Sequence, residues 1–229
     1  MKTLVLDLDE TLVRSQFTEP EKYDLLLPVR LDNRSYQVYV QVRPGTAEFL
    51  EEMAKCYELV IFTASLSKYA NPLMDILDPE RYCTGRLFRE HCVYADRVYM
   101  KDMAQLGRRI EDVILIDNSP NSYRPQPENA IPILSWYDDP DDTELWKITP
   151  LLRNLARVED VRSVLGNVHE NHEMDLEKAE RMAEQLRRDY ELRLLTKAKT
   201  KGQRPSNLNS SDFDLNDRTS EMDLMKIMD

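Results

Sequence analysis

The chain opens with MKTLVLDLDETLV, residues 1–13, an aliphatic run that breaks into carboxylates at Asp7 and Asp9. Aliphatic residues without period-two alternation are what a strand covered on both faces requires. Side chains two apart on a strand share a face, so the spacing predicts that Asp7 and Asp9 converge at the carboxyl end of that strand. Carboxylates at such a place are costly unless a cation or hydrogen bonds compensate them. Ligand sites of open parallel sheets lie in the crevice outside those ends.

Working outward, residues 4–8, 59–62, 113–116 and 130–134 are short aliphatic runs that predict the centre of a parallel sheet. The third run ends in "DNS", which brings Asp117 and Asn118 to the same rim. Between the first two runs, residues 44–57 predict a helix, with Pro44 at its start and Phe49, Leu50, Met53 and Ala54 on one face. This is a strand–helix–strand crossover. Residues 25–42, with "LDNRS" between apolar runs, predict a β-hairpin. Residues 87–100, "LFREHCVYADRVYM", alternate more strictly and predict small antiparallel strands on the rim of the sheet.

After Trp136 the pattern turns helical. The segment "DDPDDTELWKITPLLRNLA" pairs an acidic first turn with Leu145, Ile148, Leu151, Leu152 and Leu155, and a short helix at 161–165 closes the domain near Gly166. Residues 173–199 predict a long exposed helix, braced by Glu177/Arg181 and Glu184/Arg188 and bearing a thin stripe of Met174, Met182 and Leu186. From Gly202 the Ser, Asn and Asp content predicts disorder. The expected division is therefore a core domain at 1–166, a charged helical extension at 167–201 and a disordered tail at 202–229. Lys197, Lys199, Lys201 and Arg204 read either as a weak nuclear-localisation patch or as a cationic helix end, and "EMDLMKIMD" as a short amphipathic motif or as more of the tail.

A chain of 229 residues with 41% hydrophobic composition has room for one ordinary domain and an appendage. The formal net charge of -11 argues against direct binding to nucleic acid or anionic lipid. Cys56, Cys83 and Cys92 form neither a CxxC pair nor an even framework, which suits a reducing compartment, nuclear and/or cytoplasmic. A transmembrane segment is not expected, since the longest apolar runs fall short of a span.

Three carboxylates and an amide at strand ends, Asp7, Asp9, Asp117 and Asn118, offer hard oxygen ligands of the kind Mg²⁺ takes. A calcium loop starting at Asp7 is excluded, because it needs Gly and Glu where the chain has Leu12 and Thr18. Capping alone would not call for matching polar residues at other strand ends. Those residues are Thr63 in "VIFTAS" and Lys101 in "VYMKD", a hydroxyl and a point charge suited to phosphoryl oxygens. With them the set predicts phosphoryl transfer: Asp7 attacks phosphorus once cations neutralise its oxygens, and an aspartyl phosphate forms. Asp9 protonates the leaving oxygen and then takes a proton from the hydrolytic water.

These residues bring a family into view. "LVLDLDETLV", "LVIFTAS", the "KD" at Lys101 and "VILIDNSP" resemble, in order and context, the motifs of the haloacid dehalogenase superfamily. "RPGTAEFL", "FTASLSKYANPLMDILD", "LFREHCVY", "IDNSPNSYRPQPENAIPILSWYDDPDDTEL" and "VEDVRSVL" resemble the FCP/SCP group more closely, small phosphatases that act on the C-terminal domain of RNA polymerase II. The likeness spans residues 4–165. It implies an α/β fold: a Rossmann-like core with a central parallel sheet, a β-hairpin and a small antiparallel insertion, no large cap domain, and here a C-terminal helical extension. It further implies Mg²⁺ dependence and dephosphorylation of phosphoserine or phosphothreonine next to proline in protein segments.

By matching position, the resemblance makes Asp7 the nucleophile and Asp9 the acid/base. Asp7, the main-chain carbonyl of Asp9 and Asn118 would bind Mg²⁺ directly, with Asp117 acting through water, and Thr63 and Lys101 would hold the phosphate. It also implies an apolar proline pocket of Phe17, Val29, Leu31, Val38 and Leu66, with Tyr69 and Arg89 nearby. Arg14 stands where the family commonly has His, and "YADRVY" differs from its usual loop. A small-metabolite phosphatase is disfavoured because no long insertion reads as a cap. An inactive phosphoprotein-binding scaffold would have no use for Asp9. A protein partner on the charged helix is a further expectation.

Overall fold

The computed structural model of the protein describes residues 1–31, 34–167, 169–170 and 173–200. Strands β1 (Lys2–Leu6), β5 (Tyr57–Phe62), β6 (Cys83–Leu87), β9 (Val113–Asp117) and β10 (Ala130–Pro132) form a parallel sheet in the order β10-β9-β1-β5-β6. Every residue of β1 and β9 is buried, which is why 4–6 and 113–116 within them are continuously aliphatic. Leu4, Leu6, Leu59, Ile61, Ile114 and Ile116 face one layer of the core, and Val5, Val60, Val113 and Leu115 face the other. The first layer is helical; the second is thinner, built from Met103, Leu106 and Tyr123.

Helix α1 (Thr46–Ala54) buries Phe49, Leu50 and Met53. The expected helix at 44–57 is shorter at both ends. Pro44 precedes the cap, Gly45 takes the N-cap position at φ 80, and Tyr57 already belongs to β5. A Cβ at Gly45 would lie 2.6 Å from Trp146 Nε1, so the left-handed turn and the close approach of α3 (Glu144–Leu155) both require glycine. All five apolar residues expected on α3 are buried, each stabilising the fold by about 1.5–3 kcal/mol. The Tyr57 hydroxyl donates to the Leu152 carbonyl at 2.6 Å and ties α3 to the sheet.

The hairpin is present as β3 (Leu25–Leu31) and β4 (Arg34–Val42), joined by an unforeseen third strand, β2 (Val13–Gln16), in the order β2-β4-β3. Its Leu27, Val29, Val38 and Val40 are buried in the core that also takes Ala70, Leu73 and Met74 of α2 (Ser67–Leu77). The 87–100 expectation is corrected in part. Leu87 ends β6 in the parallel sheet, and the antiparallel pair is confined to β7 (Val93–Ala95) and β8 (Val98–Met100).

The short helix α4 (Arg162–Leu165) closes the core as expected, and α5 (Leu176–Thr200) follows. The reading of this helix as exposed needs correction. Ala179 and Ala183 are fully buried, with Met174, Met182 and Leu186 packed beside them; two small residues one turn apart let helices approach closely. Further along, Arg193 meets Glu159 at 3.6 Å, and the Glu159 carbonyl accepts from Lys2 Nζ at 3.5 Å, at the start of β1. The expected disordered tail, "EMDLMKIMD", Lys201 and Arg204 lie outside the described residues. No helix among the described residues is long and apolar enough to cross a membrane.

Candidate active site

Residues 7–13 leave β1 in a tight hydrogen-bonded loop. The Leu8 carbonyl accepts from Leu12 and Val13 amides at 2.9 and 3.1 Å, and Glu10 adopts φ 56 with its amide donating to the Val13 carbonyl at 2.7 Å. From behind, the fully buried Arg43 donates to the Thr11 carbonyl at 3.0 Å and grips Asp142 with two bonds of 2.7 and 2.8 Å. The loop is thereby fixed to the chain that leads into α3.

Within this frame Asp7 and Asp117 share the ammonium of Lys101, at 2.5 and 2.6 Å, and all three are buried. Lys101 directly follows β8, and its amide donates to the Ser122 carbonyl at 2.8 Å. Burial disfavours its charge, but Asp117 and Asp7 outweigh burial and raise its pKa. Asp117 is pushed up to about 6, first by burial, with Lys101 pulling down and Asp7 pushing up. Two carboxylates against one ammonium leave surplus negative charge.

Asp9 lies in different surroundings. Its Oδ2 accepts from Ser65 Oγ at 2.7 Å and from Thr63 Oγ1 at 3.3 Å, and its Oδ1 accepts from the Tyr69 hydroxyl at 2.9 Å. Burial, the largest influence, raises its pKa; the Ser65 hydrogen bond opposes this and Asp7 adds to it.

The oxygens at this rim are the kind that a hard divalent cation takes. Thr11 Oγ1, 3.0 Å from Asp7 Oδ2 and 3.3 Å from Asn118 Oδ1, holds these two oxygens near each other beside the surplus charge. Asn118 is further braced by Ser135. Among the described residues, His, Cys, Asp and Glu side chains form no group of three or more set to hold a metal ion. A cation here would therefore need Asn118 and main-chain oxygen as well as carboxylate. With both counted, the residues fit Mg²⁺.

Sequence reading had brought Asp7, Asp9, Thr63, Lys101, Asp117 and Asn118 to this rim, and they meet there. It missed Thr11, Ser65 and Arg43; Ser65 carries a faint signal, since it stands two residues after Thr63 as Asp9 does after Asp7. Val29 and Val38, expected in the apolar pocket, are 2% and 4% exposed and pack in the core behind the hairpin. Leu31 ends β3, and its side chain is outside the described ones. Phe17 and Leu66 are exposed, with the Phe17 ring edge-on to Tyr36 at 5.8 Å. Arg89 donates to the Ala64 carbonyl at 2.6 Å and lies over the Tyr99 ring.

A family model described as NLI interacting factor-like phosphatase matches residues 2–162. A Dictyostelium discoideum protein named probable C-terminal domain small phosphatase is 51% identical over 171 residues, 75% of this chain and 56% of its own. The human carboxy-terminal domain RNA polymerase II polypeptide A small phosphatase 1 is 48% identical, over 71% of this chain and 62% of its own. The chain thus spans somewhat over half the length of these curated relatives. The solved structure of the fission yeast RNA polymerase II CTD phosphatase Fcp1 bound to beryllium fluoride shares the fold at TM-score 0.55 and 16% identity, over 89% of this chain and 67% of that one.

Proposed function

Because the chain belongs to the NLI interacting factor-like phosphatase family, we propose that it is a Mg²⁺-dependent phosphatase of phosphoserine and phosphothreonine in proteins, working through an aspartyl phosphate. The observation that carries this reading is the division of labour between two carboxylates: Asp7 lies against Lys101, and Asp9 lies among hydroxyls with its pKa raised. An anionic nucleophile needs a cation at its target, and Lys101 provides one. Bound Mg²⁺, held by Asp7, Asn118 and the main-chain carbonyl of Asp9 with Asp117 behind, would add charge neutralisation at the phosphoryl oxygens.

An Asp7 carboxylate oxygen then bonds to phosphorus as the ester O–P bond breaks, and Asp9 gives its proton to the leaving serine or threonine oxygen. Thr63 and Lys101 hold the phosphoryl oxygens. In the second half Asp9 takes a proton from water as that water attacks phosphorus, and Asp7 leaves as carboxylate. A raised Asp9 pKa suits a group that must begin protonated.

Relatives named for the RNA polymerase II C-terminal domain support a phosphorylated protein segment of that kind as substrate, and hence nuclear action. Exposed Phe17 and Leu66, with Tyr69 and Arg89, would meet residues beside the phosphate. Exposed Leu192 and Leu194 support a protein partner on α5. The test is phosphate release from 4-nitrophenyl phosphate with Mg²⁺, with chelator, and by Asp7→Asn. Release that needs both the metal and Asp7 is expected. Native protein that is folded and silent would overturn the enzyme reading.

A further inference from the structure

Asp9 must present a proton to one oxygen, then accept one from another, without losing its place. Its surroundings are built for both states. Ser65 Oγ donates to Oδ2 at 2.7 Å, and the Thr63 hydroxyl, whose oxygen already accepts from the Ser65 amide at 3.0 Å, has its own hydrogen for the same carboxylate oxygen. At Oδ1 the Tyr69 hydroxyl donates at 2.9 Å, and behind it stands the Ser15 hydroxyl in a short contact with Tyr69.

With Asp9 ionised, Ser15 donates to Tyr69 and Tyr69 to Asp9. Held at both carboxylate oxygens, the Asp9 side chain has its place fixed, and Oδ1 keeps a lone pair free of the Tyr69 bond for the proton it exchanges with substrate and water. We propose that Ser65 and Tyr69, with Ser15 behind Tyr69, are positioning residues that hold Asp9 for its acid and base duties. The inference rests on the phosphatase reading above. It also changes the meaning of Tyr69: assigned by resemblance to the substrate pocket, it links the hairpin sheet, through Ser15 of β2, to the acid.

The experiment compares kcat/KM for two esters of similar size, 4-nitrophenyl phosphate and phenyl phosphate, in the full chain with Mg²⁺. In a double displacement this ratio reports the steps up to phosphoryl transfer and leaves out hydrolysis of the intermediate. The better leaving group needs little help from an acid, and the poorer one needs it. Ser65→Ala and Tyr69→Phe are expected to lower kcat/KM for phenyl phosphate about tenfold more than for 4-nitrophenyl phosphate, in the same direction as Asp9→Asn. Ser65→Thr, which keeps the hydroxyl, is expected to restore the native ratio between the two esters. Equal losses on both esters, or a Ser65→Thr ratio no better than that of Ser65→Ala, would overturn the positioning role while leaving the phosphatase reading intact. Absence of Asp7-dependent release from either ester in the native protein would overturn that reading and this inference together.

Discussion

The strand-end cluster and the hairpin face that flanks it are built in opposite ways. Around Asp7 each functional group is buried or half-buried and held by at least one other: Lys101 by two carboxylates, Asn118 by Thr11 and Ser135, the loop itself by Arg43. At the hairpin, Phe17 is 66% exposed and its ring meets Tyr36 edge-on. Chemistry on an ester needs groups placed to a fraction of an ångström, which a buried and mutually bonded cluster supplies. Reading the residues around a phosphate needs a surface that a polypeptide can reach. The contrast makes separable claims about activity, stability and selectivity.

The largest effect is expected from Asp7→Asn, which removes the nucleophile and keeps the shape. Initial rates should fall on the order of 10³-fold or more with thermal stability little changed. A loss under tenfold would place the nucleophile elsewhere and dissolve the contrast. Next comes Arg43→Met, which leaves Asp142 without its partner and the Thr11 carbonyl without its donor. Breaking a buried pair costs about 3–5 kcal/mol, to be read from denaturant unfolding at neutral pH.

The same pair gives a pH signature. Burial tends to raise Asp142, but its bonds and charge contact with Arg43 prevail and lower its pKa below the ordinary 3.8. A depressed carboxylate stabilises the fold above its unfolded pKa and loses that contribution as pH falls through the folded one. The stability gap between native protein and Arg43→Met should therefore be constant near neutrality and close as pH drops below about 3.8. A gap that persists unchanged in acid would assign the Arg43 effect to packing. Smallest is Phe17→Ala, expected to raise KM for a phosphopeptide several-fold, leave 4-nitrophenyl phosphate unchanged and shift stability by less than about 0.5 kcal/mol. A comparable loss on the small ester would show that the hairpin face shares in the chemistry.

How much could be read from sequence follows the same divide. The interior strands were legible because two-sided burial demands unbroken aliphatic runs, and their polar exits at Asp7 and Asp117 stand out against those runs. Strand β6 was not, since "CTGRL" buries only its terminal Cys83 and Leu87 and is polar between them, as an edge strand can be. Helix α2 hid behind Pro72, which sits inside it. The docking of α5 was missed because its deepest contacts are alanines, which add little to an apolar stripe. Ser65 was passed over as one hydroxyl among many, because what distinguishes it is a distance.

The Arg193–Glu159–Lys2 chain of contacts bears on how the molecule can be handled. Lys2 and Asp7 mark opposite ends of β1, roughly 16 Å apart at the usual strand rise. Helix α5 therefore runs past the edge of the sheet that faces away from the carboxylates. A fluorophore attached to α5 in place of Arg193 would sit at the back of the domain, and a long phosphorylated polymer could still approach the front unobstructed.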